Sequence, residues 1–178
     1  MCAHRAGTRA APASIDTIVA NSTRVAEAFV NRYYAVQDQP PLDRAAQIQA
    51  LYAPTARITW NGNPIAHADL PAFAQQMPPS GHEVQAFDCH PISGSANGAT
   101  PPSLVVTVTG QVTHGPNPTP AAGSISAKNF DGLARVFSQS FILVFAPASA
   151  APPPAPAGPG AEQGAEGYVV ASDSFRFC

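Results

Sequence analysis

A chain of 178 residues with only 11% charged residues and a formal net charge of −2 is long enough for one sizeable core and short for two. Its nine Lys and Arg are scattered, which excludes a surface that grips nucleic acid directly through clustered phosphate contacts. Three cysteines, Cys2, Cys89 and Cys178, are odd in number and far apart, so neither a disulfide framework nor a zinc-ligand set is available and a reducing compartment fits best.

The opening stretch, 1–13, lacks an apolar signal core and is expected to be flexible. No run approaches the roughly 18 apolar residues needed to span a bilayer, so the expectation is a soluble, intracellular protein. From Ser14 to Gln37, apolar residues recur at steps of three and four: Ile15, Ile18, Val19, Val25, Ala26, Phe29, Tyr33 and Val36. That spacing predicts one buried helix face, with Ser14 as N-cap and Asp16 in the first turn. A second, shorter helix follows, opened by Pro41, ended at Pro54, and turning Leu42, Ala45, Ile48, Leu51 and Tyr52 inward.

The period then changes to two. "ARITW" reads as a strand, and Asn61-Gly62 supplies the positive-φ pair of a tight hairpin into "NPIA". "ADLPAFAQQMPP" holds a third short helix capped by Asp69, with Leu70, Phe73 and Met77 spaced for burial. Four long strand-like segments complete the chain: "HEVQAFDCHPIS", "SLVVTVTGQVT", "ARVFSQSFILVFAP" and "GYVVASDSFRF". Two Pro/Gly-rich stretches, about 114–132 and 147–167, bury too little apolar surface to offset ordering entropy and are expected to be mobile loops.

The motifs "AEAFVNRYYAV", "LYAPTARITWNGNPI", "QQMPPSGHEVQAFDCHPI", "FSQSFILVFAP" and "ASDSFRF" resemble the small subunit of the nuclear mRNA export receptor, a member of the nuclear transport factor 2-like superfamily. The likeness runs from about Ser14 to Phe177. It implies one α+β domain over 14–178: a cone in which a bent antiparallel sheet wraps a long first helix, with two shorter helices closing it. It also implies a non-enzymatic subunit that pairs with the nuclear transport factor 2-like domain of a TAP-type large subunit. Through that complex it would meet phenylalanine-glycine nucleoporins and, indirectly, mRNA, shuttling between nucleus, pore and cytoplasm. No cofactor and no metal are expected.

In strand "QAFDCHPI", alternation puts Asp88 and His90 on one face and Cys89 on the other. The resemblance assigns Asp88 a salt bridge to an arginine of the large subunit, a charge-assisted pair that a second copy of this chain would not supply. His90 shares its face. Ser138, Ser140 and Ile142 lie opposite Phe137, Gln139, Phe141 and Leu143, and one of these two faces should meet the partner sheet. Arg176 points away from Phe175 and Phe177 and is a further candidate contact.

Two other classes stay open. A homodimeric carrier of Ran shares the fold, but its turn after the tryptophan is typically acidic, whereas Asn61 is neutral. A cavity isomerase or dehydratase would use Asp88 and His90 as acid and base; a lone Asp-x-His on a strand is a weak signal for that.

Overall fold

The computed structural model describes residues 14–92, 100–115, 133–146 and 167–178. The opening segment 1–13, and nearly all of the two expected loops, lie outside the described residues.

Helix α1 (Ile15–Gln37) starts where Ser14, in extended backbone, accepts the Thr17 N–H on its hydroxyl. Burial begins only at Ser22 and runs through Ala26, Phe29, Val30, Tyr33, Tyr34 and Val36; Ile15 is 79% exposed, against the expectation for the first turns. Helix α2 (Pro41–Ile48) is shorter than the sequence suggests and gives way to a 3-10 turn, Gln49–Leu51. It buries Arg44 and Ile48, one turn apart, rather than Leu42, because the Arg44 guanidinium has backbone carbonyls to bind inside.

Strand β1 (Tyr52–Trp60) therefore starts earlier than expected and includes Pro54. The missing N–H is tolerated because pairing is interrupted between Tyr52 and Arg57. The hairpin at Asn61 (φ 49°) and Gly62 (φ 83°) leads into β2 (Asn63–Ile65), as the Asn-Gly pair predicts. Helix α3 (Leu70–Gln76) buries Leu70 and Ala74; Asp69 precedes it in a 3-10 turn and makes no side-chain cap, correcting that expectation.

Strands β3 (Ser80–Ile92), β4 (Ser103–His114), β5 (Ala134–Phe145) and β6 (Tyr168–Phe177) complete one sheet of order β2-β1-β6-β5-β4-β3. All pairings are antiparallel except β1 with β6, which is parallel, so the sheet is mixed rather than wholly antiparallel. A register shift at Gln85 bulges β3, and Gly110 of β4 allows it: a Cβ there would lie 2.2 Å from the Glu83 carbonyl oxygen.

The sheet curls around α1. Phe29 and Tyr33 pack edge-on against Phe141, with centroids 5.4 and 4.8 Å apart, and Phe137 and Phe175 stack beside them. Each such buried ring is worth about 1.5–3 kcal/mol of transfer free energy. Trp60 lies flat on Phe175 at 3.9 Å, and the Asn61 amide oxygen accepts the Phe177 N–H, so the hairpin is fastened to the end of β6. Asn61 thus has a structural task in this chain.

Candidate partner-binding face

Alternation along the strands gives the sheet two unlike sides. On the concave side Phe137, Gln139, Phe141 and Leu143 are fully buried against α1; Ser138, Ser140 and Ile142 face outward. Of the two faces that the sequence offered, the outward one is open.

Register then assembles the sequence candidates on that one surface. Asp88 opposes Thr107, Thr107 opposes Ser140, Ser140 opposes Ser174, and Ser174 opposes Thr59, a polar row across five strands. On one side of it run Ala86, Thr109, Ser138 and Arg176; on the other run His90, Val105, Ile142, Ser172 and Arg57. All six singled-out residues, Asp88, His90, Ser138, Ser140, Ile142 and Arg176, belong to it. Cys89 turns the opposite way, its Sγ 3.5 Å from the Ser22 carbonyl, and burial pushes its thiol pKa up.

The chemistry of the face is hydroxyl-rich, not greasy, with an apolar end where Val105 and Ile142 are paired and Ile92 and Val144 follow two residues beyond His90 and Ile142 on their strands. The Asp88 side chain is 74% exposed; its Oδ2 is 3.0 Å from His90 Nε2 and its Oδ1 accepts the Cys89 N–H at 3.0 Å. No Lys or Arg among the described residues bridges it. Arg176 sits on β6, three strand spacings away, about 14 Å, too far for a pair within the chain. The face therefore carries a carboxylate at one end and guanidiniums, Arg176 and Arg57, at the other. Charge alone does not exclude a second copy, contrary to the expectation drawn from Asp88 taken by itself.

The concave side holds its own polar cluster, which sequence reasoning missed. Asp173 is 4% exposed and accepts from Tyr52 (2.6 Å), Tyr33 (3.3 Å) and Gln139 (2.8 and 3.0 Å); Tyr34 donates to the Gln139 carbonyl oxygen at 2.8 Å. Desolvation lifts the Asp173 pKa to about 6, opposed by these bonds, and pushes the Tyr33, Tyr34 and Tyr52 hydroxyls upward as well. Alternation with Phe175 was the signal that could have found Asp173. The adjoining cavity is about 30 Å³, room for roughly two waters. Asp88 and His90 stand outside it, exposed on the opposite side of the sheet.

Near the cavity mouth, Arg44, 2% exposed, donates to the carbonyls of Gln37 (2.9 Å), Ala74 (3.1 Å), Met77 (2.6 Å) and Pro78 (3.2 Å) and to Ser80 Oγ (3.2 Å). His82, near the start of β3, is fixed by Asp38: ring Nδ1 to Oδ1 2.6 Å, backbone N–H to Oδ2 2.9 Å. These contacts lock α1, α2, α3 and β3 into one body.

A long curled sheet closed on one side by helices, with a broad polar surface left open on the other, defines a nuclear transport factor 2-like fold. The sequence profile of "Nuclear pore RNA shuttling protein Mtr2" matches residues 20–119, and the chain belongs to that family. It is 31% identical to NTF2-related export protein 1 of Bos taurus over 93% of this chain and 96% of that protein. To NTF2-related export protein 2 of Bos taurus it is 30% identical over 90% of each. The fold matches a chain of "Chaetomium thermophilum Mex67 NTF2-like domain complexed with Mtr2", with TM-score 0.59, 20% identity, and coverage of 89% of this chain and 99% of that one. A second match, with TM-score 0.56, 22% identity and the same coverages, is to a chain of "Sac3N peptide bound to Mex67:Mtr2".

Proposed function

We propose that this chain is the small, non-catalytic subunit of an mRNA export receptor, and that its open sheet face packs on the nuclear transport factor 2-like domain of a Mex67- or TAP-type large subunit. The observation that carries the reading is the convergence of Asp88, His90, Ser138, Ser140, Ile142 and Arg176 on one exposed surface in a member of the Mtr2 family. Structural relatives in which Mtr2 is complexed with Mex67 support the choice of partner.

In this reading Asp88 receives a guanidinium of the partner in a bidentate pair, and Arg176, with Arg57 near it, meets partner carboxylates. Opposite charges at the two ends fix the orientation of the docked sheet. The hydroxyl rows add directional hydrogen bonds, direct or through water, while Ile92, Val105, Ile142 and Val144 supply the dry portion. The chain's contribution to transport is to complete and stabilise the receptor. Nucleoporin repeats and the mRNA cargo are met by the assembled heterodimer, at the pore and on both sides of it.

The test is co-expression with the nuclear transport factor 2-like domain of a large export subunit, followed by size-exclusion chromatography with light scattering. A one-to-one heterodimer is expected. A symmetric homodimer that ignores the large subunit and binds GDP-loaded Ran would overturn the reading.

A further inference from the structure

Strand β3 is an outer strand of 13 residues, with β4 on one side and, among the described residues, no strand on the other. An outer strand of that length offers N–H and C=O groups at every second residue, a template on which another chain can add. The opposite edge, β2, is only 3 residues long. What happens along the β3 edge therefore decides whether this sheet can grow.

The ladder shows which N–H groups point outward. Gly115 N–H donates to the Pro79 carbonyl at 3.0 Å, which makes Ser80 and His114 a non-hydrogen-bonded pair. Ser80, His82 and Val84 then direct their N–H groups away from β4. The bulge at Gln85 shifts the parity by one, and Phe87, Cys89 and position 91 follow.

Those positions are stopped one by one. The His82 N–H is bound by Asp38 Oδ2 at 2.9 Å, and Ser80, 4% exposed, is covered under the same carboxylate, its hydroxyl bonded to Oδ1 at 3.1 Å. The Cys89 N–H is bound by Asp88 Oδ1 at 3.0 Å. Position 91 is proline and has no N–H. Val84 and Phe87 remain, but they flank the bulge and are three residues apart, out of step with an incoming strand.

We infer that the β3 edge is sealed against strand addition by Asp38, Asp88, Pro91 and the Gln85 bulge, so that the chain assembles through its sheet face and not by extending its sheet. Asp88 then has a second task besides any partner contact: its oxygen occupies a backbone donor that would otherwise recruit another strand. This holds whether or not the face takes the proposed partner.

Asp88→Asn keeps an amide oxygen for the Cys89 N–H but removes the charge; Asp88→Val removes both, and Pro91→Val restores a donor without altering the open face. In the isolated protein, Cys89 amide exchange is expected to stay slow in Asp88→Asn and to accelerate about tenfold or more in Asp88→Val. By sedimentation velocity, Asp88→Val/Pro91→Val should form larger species at concentrations where the wild type and Asp88→Asn do not. Should the double variant fail to fold, Pro91→Val alone must raise self-association of the isolated protein above that of the wild type. A double variant that sediments as wild type overturns the inference, as does an Asp88→Asn protein that self-associates equally, since charge repulsion would then be the barrier.

Discussion

The two sides of the sheet use the same residue types for opposite ends. On the concave side Asp173, Gln139 and three tyrosines satisfy one another within about 3 Å, and Arg44 spends its guanidinium on carbonyls of its own chain. On the open side Asp88, Arg176 and Arg57 lie too far apart to neutralise each other, and the serines and threonines between them face solvent. Polar groups that are closed within the chain specify a fold; polar groups that keep their exposure are free to take part in an association. The contrast teaches that chemical type alone does not separate a structural carboxylate from a candidate docking one, whereas its burial and the reach of its partners do.

Substitutions break this comparison in graded steps. The largest loss of stability is expected from Arg44→Met, which takes the shared donor away from the buried Ala74 carbonyl and the part-buried carbonyls of Gln37, Met77 and Pro78 at once: about 3 kcal/mol or more, read from the denaturation midpoint, since each hydrogen bond to a charged group contributes about 1.5–3 kcal/mol. Partner affinity should fall only as far as folding does.

Asp173 gives a pH signature of similar size. Its folded pKa, about 6, lies above the ordinary carboxylate value, so the folded chain binds the proton more tightly than the unfolded chain. Its contribution to stability is fully present below about pH 4 and is lost as the pH rises through 6, by about 3 kcal/mol in all. In Asp173→Asn that segment of the stability–pH curve should flatten, as measured by urea unfolding between pH 4 and 7. An unchanged slope would show that the carboxyl is not held as the structure holds it.

On the open side the pattern inverts. Ile142→Asp should change stability by less than about 0.5 kcal/mol yet weaken partner binding by at least about tenfold in calorimetry, because it puts a charge into the apolar patch. Arg176→Ala, near one end of the face, should do less, slowing association and reducing its salt dependence more than it changes dissociation.

Much of this was legible in the residues. The 3.6-period run of α1, the Asn-Gly turn and the period-two strands fixed the order of elements, and alternation told which residues share a side within the strand of Asp88 and within that of Ile142, while the register that joins the two strands on one surface comes from the fold. Three features were not legible, each for a physical reason. Pro54 marks a helix end in isolation but sits in β1 here, because a break in tertiary pairing removes the need for its N–H. Leu42 outranks Arg44 on hydropathy, yet α2 is turned by hydrogen bonds from Arg44 to elements up to 36 residues away. The parallel β1–β6 pairing joins strands more than a hundred residues apart in the chain, beyond the reach of local pattern. Asp173 was readable from its place two residues before Phe175, but its tyrosine partners come from α1 and β1, and only folding brings them together.

The most direct test lies in the open carboxylate. Asp88→Arg places a cation where the partner's guanidinium is expected. Measured by calorimetry against the large subunit's nuclear transport factor 2-like domain, affinity should drop by about 3–5 kcal/mol, two orders of magnitude or more, while the circular dichroism spectrum and the melting temperature stay close to wild type. A compensating Arg→Asp change on the partner should recover part of that loss. Binding at wild-type strength by a folded Asp88→Arg protein would contradict the account and move the interface off this face.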